Sequence, residues 1–310
     1  MVNIILTILL ITFFLVAGFS WLIARLWCLP QRDKSKKRPE EYNIHYENVS
    51  FPSSNRTLQG WFMPASTNKK PVVIIQHGWS HSKSRMLPVA KEVIDKVGCS
   101  VFMFDSRGHG ESDNDGPVTL LKMAEDLRSS INYLKTRKDV DMHNIGVFGH
   151  SIGGASSILA GSLDNRINAI ISTSAFADPV GVTTKFMKKF HIPEWPFVKL
   201  VFMFIGGWVG EPIENIFPRN NIHKIKVPTL LIHGKKDNFI PPENMAILYE
   251  NSNSELTELH LLPDCSHSNI IVHSSHFQLV TDFLKKHMFT EKKNVTTEKL
   301  AYHSNVNLSF

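Results

Sequence analysis

Ile145-Gly-Val-Phe148-Gly149-His-Ser151-Ile-Gly153-Gly154 is the stretch whose reading decides the fold. A short apolar run, Ile145–Phe148, leads into Gly-x-Ser-x-Gly, and Ile152–Ser162 continues with helical periodicity. A strand-to-helix turn this sharp holds its serine in a strained backbone conformation, and glycine at the flanks avoids clashes with neighbouring elements. Ser151 is then predicted to project its hydroxyl at the C-terminal edge of a sheet. There it lies over a helix N-terminus that favours developing negative charge. The pentapeptide by itself also arises in Gly-rich turns without chemistry. The strand before it and the helix after it are what make Ser151 a nucleophile candidate.

Outward from this turn the chain repeats one rhythm. Val72–Gln76, Ser100–Phe104, Ala169–Ser172, Thr229–Ile232 and Glu258–Leu262 are short, largely apolar runs, as strands buried on both faces of a parallel sheet require. Val118–Arg137, Pro242–Asn251 and His276–Met288 carry helical periodicity between or after them. Ahead of these, Ile44–Phe51 and Leu58–Met63 alternate polar and apolar residues around a Pro52–Arg56 turn, which reads as a hairpin. Strands alternating with helices predict a doubly wound α/β architecture with right-handed crossovers. Between Ser174 and Lys226 no strand pattern occurs, yet Phe186, Phe190, Trp195, Phe197, Phe202, Phe204 and Trp208 crowd the interval. A structureless loop of that length does not suit a compact domain, so a helical cap insertion is predicted at about 175–226. Residues 290–310 are polar and aperiodic, and a mobile tail is expected there.

A serine hydroxyl is a weak nucleophile without a base, and the base needs an orienting acid. Asp237 follows the run Thr229–Ile232 within His233-Gly-Lys-Lys-Asp237-Asn-Phe-Ile-Pro-Pro, and His267 follows Glu258–Leu262 within Pro263-Asp-Cys-Ser-His267. Singly, Asp237 could cap a helix near Pro241 and His267 could be a surface loop residue. Together, in the order Ser, Asp, His and each after a later strand, they are expected to converge on Ser151. Asp264 is the rival acid, but it shares the loop of the histidine and is poorly placed to orient the far side of the ring. Two backbone donors are needed for an oxyanion. Ile152, next to the nucleophile, supplies one candidate; Trp79, in Gln76-His77-Gly78-Trp79 after the third strand, supplies the other.

With Asp105-Ser-Arg-Gly-His-Gly-Glu-Ser112 after the fourth strand, these motifs resemble the α/β-hydrolase superfamily. Within it the pattern is similar to the serine-aminopeptidase-like and monoacylglycerol-lipase-like branch, which includes membrane-anchored Bem46-type hydrolases. The resemblance covers about residues 42–289. It implies an α/β-hydrolase fold: a mostly parallel eight-stranded sheet, helices on both faces and a helical cap. It also implies a Ser151-Asp237-His267 triad with an oxyanion hole at Trp79 and Ile152. Arg107 and His109 are implied to support the site rim rather than to react. The superfamily spans many substrates, so the resemblance selects none.

The N-terminus tells a separate story. Ile4–Ala24 contains no charged residue, and its 21 residues give about 31 Å of helix, against about 30 Å of hydrocarbon. Trp21 and Trp27 stand near one end. Arg25, Arg32, Lys34, Lys36, Lys37 and Arg38 follow the segment, whereas only Met-Val-Asn precedes it. These features predict a single-pass anchor at 1–29, a basic linker at 30–41 and a catalytic part on the cytoplasmic side of a cell membrane. A cleaved signal peptide is the competitor, but a basic n-region is missing and the apolar run is long. Sequons at Asn48, Asn55, Asn294 and Asn307 would matter only in the opposite orientation.

In 310 residues with 43% hydrophobic side chains there is room for one substantial core. The net charge of +6 is partly local, with five basic residues in Gln31–Glu40, and no basic-aromatic stripe calls for a nucleic-acid partner. Cys28, Cys99 and Cys265 form no Cys-x-x-Cys spacing, so neither disulfides nor zinc are expected. His273 and His276 stand at i and i+3 without a carboxylate partner and read as surface helix residues rather than metal ligands. No dinucleotide or phosphate-binding loop occurs, and no cofactor is expected. The expected chemistry is two-step acyl transfer on a small-molecule ester. The aromatic cap and anchor favour a lipid-like substrate, such as a monoacylglycerol or lysolipid. A peptidase would need an acidic subsite, for which Glu194, Glu211 and Glu214 are candidates. A thioesterase or acyltransferase would use the same triad, and a non-catalytic binding protein would lack a member of it.

Overall fold

The computed structural model describes residues 2–33, 35, 37–65 and 69–289, so the tail expected at 290–310 lies outside the described residues. The two alternating segments form the antiparallel pair β1 (Glu47–Ser53) and β2 (Arg56–Met63). They join β3 (Lys70–Gln76), β4 (Ser100–Phe104), β5 (Val140–His150), β6 (Ile167–Thr173), β7 (Thr229–Gly234) and β8 (Thr257–Leu262). The eight strands lie in the order β1-β2-β4-β3-β5-β6-β7-β8, antiparallel at the β1-β2 and β2-β4 pairs and parallel thereafter. This is an α/β-hydrolase fold, as the motif order predicts. Register sets Gln76 of β3 beside Phe104 of β4 and Gly149 of β5, so the loops that follow these strands emerge together.

Continuous apolar runs place side chains on both sheet faces. Val72 and Ile74 of β3, with Phe102 and Phe104 of β4, enter one core; Val73, Ile75, Val101 and Met103 enter the other. At about 25 cal/mol per Å2 of apolar surface removed from water, these two layers are the main source of stability. The first face is covered by α3 (Leu120–Leu134), α4 (Ile152–Leu163) and the cap; the second by α2 (Leu87–Glu92) and α8 (Ser274–Met288). The helix α2 has no amphipathic signature because Met86, Leu87, Val89, Ala90 and Val93 all point inward, leaving little polar face. Strand β5 begins at Val140, earlier than its apolar run: Val140 pairs with Lys70 of β3, and the register then shifts across the polar stretch before Ile145 pairs with Val72. The cap consists of α5 (Pro179–Lys189), whose first turn is capped by Asp178, and the apolar α6 (Phe197–Val209). Three short 3-10 turns then return the chain to β7, which α7 (Glu243–Glu250) follows.

The N-terminal helix α1 (Val2–Trp27) is long and apolar enough to cross a membrane. Its first half is exposed, while its second half lies against the cap: Ser20 and Ala24 are fully buried. Phe19 meets Phe197 edge-on at 5.6 Å, and Trp27 lies on Phe186 at 4.6 Å. Small residues at i and i+4 let two helices approach closely, as in apolar helix pairs generally. The segment after α1 is fastened to the domain. Arg32 donates to the Ser112 carbonyl (2.7 Å) and to Asn114 Oδ1 (2.9 Å), and Arg38 pairs with Glu111 at 3.3 Å. These two basic residues are engaged by protein acceptors; the sequence treats them only as membrane-flanking charge.

The Asp105–Ser112 motif builds a polar web under the rim. Buried Lys83 joins Asp105 (2.6 Å) and Glu111 (2.7 Å). Arg107 donates from Nε to Asp126 Oδ1 and from its backbone to Oδ2, both at 2.8 Å, and Ser53 Oγ donates to the same carboxylate at 2.7 Å. Removing one partner of such a pair strands a buried charge. Asp126→Ala should therefore cost about 3–5 kcal/mol of unfolding free energy. Denaturant unfolding of the full-length protein in detergent, wild type against variant, measures it.

Candidate active site

Ser151 sits at φ 59°, ψ −125°, between β5 and α4. Such a conformation costs a non-glycine residue about 1–3 kcal/mol and persists only where the surroundings enforce it. Here the Ser151 N–H donates to the Thr173 carbonyl (2.8 Å), and its carbonyl accepts from the Ala155 N–H (3.0 Å). A side chain at Gly149 would run into the Gly153 carbonyl, and one at Gly153 would approach the carbonyls of His77 and Gln76. The turn closes only because both positions are bare.

The loops after β7 and β8 bring the other two expected residues to this serine. His267 Nδ1 is 2.7 Å from Asp237 Oδ2, and His267 Nε2 is 3.0 Å from Ser151 Oγ. A carboxylate can only accept, so Nδ1 carries the proton and Nε2 is left to accept from the hydroxyl. Asp237 is buried, which by itself would raise its pKa. Hydrogen bonds from His233 and His267, the His267 charge and the Ile240 N–H outweigh burial and hold the carboxyl well below the usual range. Its Oδ1 accepts from the backbone N–H groups of Phe239 (3.0 Å) and Ile240 (2.8 Å). Asp264 lies elsewhere, exposed and paired with Lys236 at 2.8 Å.

The loop after β3 lies directly against Ser151. A Cβ on Gly78 would come within 3.3 Å of Ser151 Cβ, and Trp79 and Ile152 both line the space in front of the serine. His77 fixes this loop, donating from Nδ1 to the Gly78 carbonyl (2.8 Å) while Nε2 accepts the Ser106 N–H (3.0 Å). Two further histidines, which sequence reasoning did not single out, touch His267 and the Asp237 loop. His150 donates from Nε2 to the His267 carbonyl at 2.9 Å. His233 points Nε2 at the Ile240 carbonyl (2.9 Å), with Asp237 Oδ2 at 3.4 Å. The available signal was position: His150 is inside the Ser151 motif, and His233 lies near the end of β7, four residues before Asp237.

His276 corrects an expectation. It is fully buried, not a surface residue, because α8 packs across the sheet and turns this position onto Phe148 at 5.7 Å, with Nε2 3.1 Å from Thr173 Oγ1. Among the described residues no group of His, Cys, Asp or Glu is arranged to hold a metal ion. Burial pushes His276 and His109 down to about 3. Burial also lowers His150 well below its ordinary value, helped by repulsion from His267.

In front of Ser151 opens a cavity of about 370 Å3. Phe176, Val182, Phe186, Phe202 and Ile205 of the cap region form much of its wall, and among the described residues lining it none is charged. Glu194, Glu211 and Glu214 line a separate groove of about 850 Å3 on the cap, which shares only Phe202 and Ile213 with the Ser151 cavity.

A serine, a histidine and a carboxylate meeting beyond the C-terminal ends of parallel strands in this order define an α/β hydrolase. The chain belongs to the family described as serine aminopeptidase, S33, whose model matches residues 67–201 and 217–271. It is similar to protein bem46 of Schizosaccharomyces pombe, 28% identical over 252 residues, covering 79% of this chain and 79% of that protein. The YfhR protein of Escherichia coli (strain K12) is 32% identical over 229 residues, covering 71% of this chain and 73% of YfhR. Among solved structures, the Pyrococcus furiosus esterase Pf2001 superposes with a TM-score of 0.68 at 25% identity, covering 84% of this chain and 99% of the esterase.

The buried histidines make the fold acid-sensitive. With a folded-state pKa near 3 for His276, the unfolded chain takes up a proton below about pH 6.5 that the folded chain refuses, so stability falls as pH falls. Between pH 7 and pH 5 this residue alone should withdraw about 2 kcal/mol. Melting curves of wild type and His276→Gln at both pH values test this: the variant should lose less stability across that interval.

Proposed function

We propose that the chain is a membrane-anchored serine hydrolase that cleaves carboxylic esters bearing an apolar acyl chain, such as monoacylglycerols or lysolipids. The observation that carries this reading is the contact chain Ser151–His267–Asp237, at 3.0 and 2.7 Å, opening onto an uncharged cavity. His267 Nε2 takes the Ser151 proton as Oγ attacks the ester carbonyl carbon. The amides of Trp79 and Ile152 stabilise the resulting oxyanion. His267 then hands its proton to the departing alcohol, and water, deprotonated by the same ring, releases the acid from Ser151. Asp237, ionised throughout, keeps the ring in the required tautomer.

The family description raises an aminopeptidase as the rival. A peptide N-terminus needs a carboxylate near the scissile bond, and the three cap glutamates face the other groove. An ester with an uncharged acyl part suits the Ser151 cavity better, and the name of the Pyrococcus neighbour, an esterase, agrees with that. Anchoring rests on the apolar length and bare first half of α1. The basic residues after it favour a cytoplasmic catalytic part.

Fluorophosphonate labelling and nitrophenyl ester hydrolysis by the full-length protein test the reading. Ser151→Ala should lose labelling entirely, and both it and Asp237→Asn should lower kcat by about 10⁴-fold or more. Labelling that survives Ser151→Ala would sink it.

A further inference from the structure

The cavity in front of Ser151 is not built by the hydrolase core and cap alone. Trp27, the last residue of α1, and Cys28 and Leu29 after it line the same cavity as Ser151, Trp79 and Ile152. We propose that Trp27, Cys28 and Leu29 form the wall of the acyl subsite that sets how long a chain the enzyme accepts. The N-terminal helix would then be a specificity element as well as an anchor. The inference rests on the serine-hydrolase reading above and names a subsite of that same site.

Three observations make this wall a fixed one. The Val118 N–H donates to the Cys28 carbonyl at 2.7 Å, tying the end of α1 to the segment that leads into α3. The Gln31 N–H donates to Ser80 Oγ at 3.0 Å, so the chain after the wall is fastened one residue beyond Trp79. On the other side, Trp27 is held by Phe186 of the cap at 4.6 Å. A boundary pinned at both ends cannot retreat from a longer substrate without breaking these contacts.

The chemistry of the wall fits a hydrocarbon chain. Cys28 is only 5% exposed, and a buried free thiol behaves as a small apolar group. Trp27 offers a ring face, and Leu29 an aliphatic one. Phe202 and Ile205 of α6 stand in the same lining, so an acyl group would be enclosed by the anchor on one side and the cap on another. Hydrophobic sites discriminate chain length through filled or unfilled volume, each methylene contributing about 10- to 200-fold at most.

Two substitutions of opposite sign test the wall, using the full-length protein in lipid nanodiscs with nitrophenyl acetate and nitrophenyl octanoate. Cys28→Trp fills the cavity and should lower the octanoate-to-acetate ratio of kcat/KM by about tenfold or more. Trp27→Ala enlarges it and should raise the same octanoate-to-acetate ratio by a similar factor. Misfolding cannot produce shifts in both directions. Ratios unchanged in both variants, or moving the same way in both, overturn the proposal while Ser151-dependent hydrolysis persists. Wild-type hydrolysis that does not depend on Ser151 overturns the parent reading instead.

Discussion

A serine held at φ 59° is an unfavourable object, and much of this structure can be understood as what holds it there. The hydrogen bond from Ser151 to Thr173 requires β6 to lie beside β5, and the one from Ala155 requires α4 to start at once. The missing side chains of Gly149 and Gly153 let α4 settle onto the carbonyl ends of β3 and β5. Those strands are in turn held by two apolar layers that no single loop change could rebuild. The strain is thus local, while the packing that sustains it extends over the whole sheet. This is why Ser151 stands on rigid elements rather than on a mobile loop.

Around this point the fold gathers histidines and keeps most of them neutral. His77, His109, His150 and His276 are all buried, and burial lowers each one. As neutral rings they serve as directional donors and acceptors without adding positive charge beside His267. Asp237 is the opposite case. Its burial is outweighed by four donors, His233, His267, Phe239 and Ile240, so a full negative charge sits behind the His267 ring. A neutral surround with one fixed anion is an arrangement in which a proton arriving on His267 would be stabilised from one side only.

What the sequence disclosed, and what it did not, follows from how far each interaction reaches along the chain. The strands β3, β4, β5, β6 and β7 announce themselves because burial on both faces demands uninterrupted apolar runs. Ser151, Asp237 and His267 could be nominated because each stands just after such a run, and a strand end is a local signal. The short helix α2 was illegible because it spans only six residues, with Leu87, Val89 and Ala90 all buried, too short a stretch to show a period. His276 was misread for the related reason that an i, i+3 spacing says which residues share a helix face but not whether that face meets solvent or a sheet. The contribution of Trp27, Cys28 and Leu29 to the cavity had no local signal at all. It depends on how α1 packs on α6, residues far away in sequence.

That packing changes how the N-terminal segment should be understood. A helix that served only as a tether would end in a free linker, and the domain below could tumble. Here one stripe of the second half of α1, with Ser20 and Ala24 buried, packs against the cap, and the residues after it bond to Ser80, Ser112, Asn114 and Glu111. The depth of the Ser151 cavity relative to α1 is therefore fixed by covalent continuity and by hydrogen bonds, not by chance orientation. The cap helix α6 lies along the same half of α1, apolar against apolar, and bounds the cavity with Phe202 and Ile205. The helix runs unbroken from its bare first half to Trp27 in the cavity wall, so one element joins the exposed apolar surface of the protein to the space in front of Ser151.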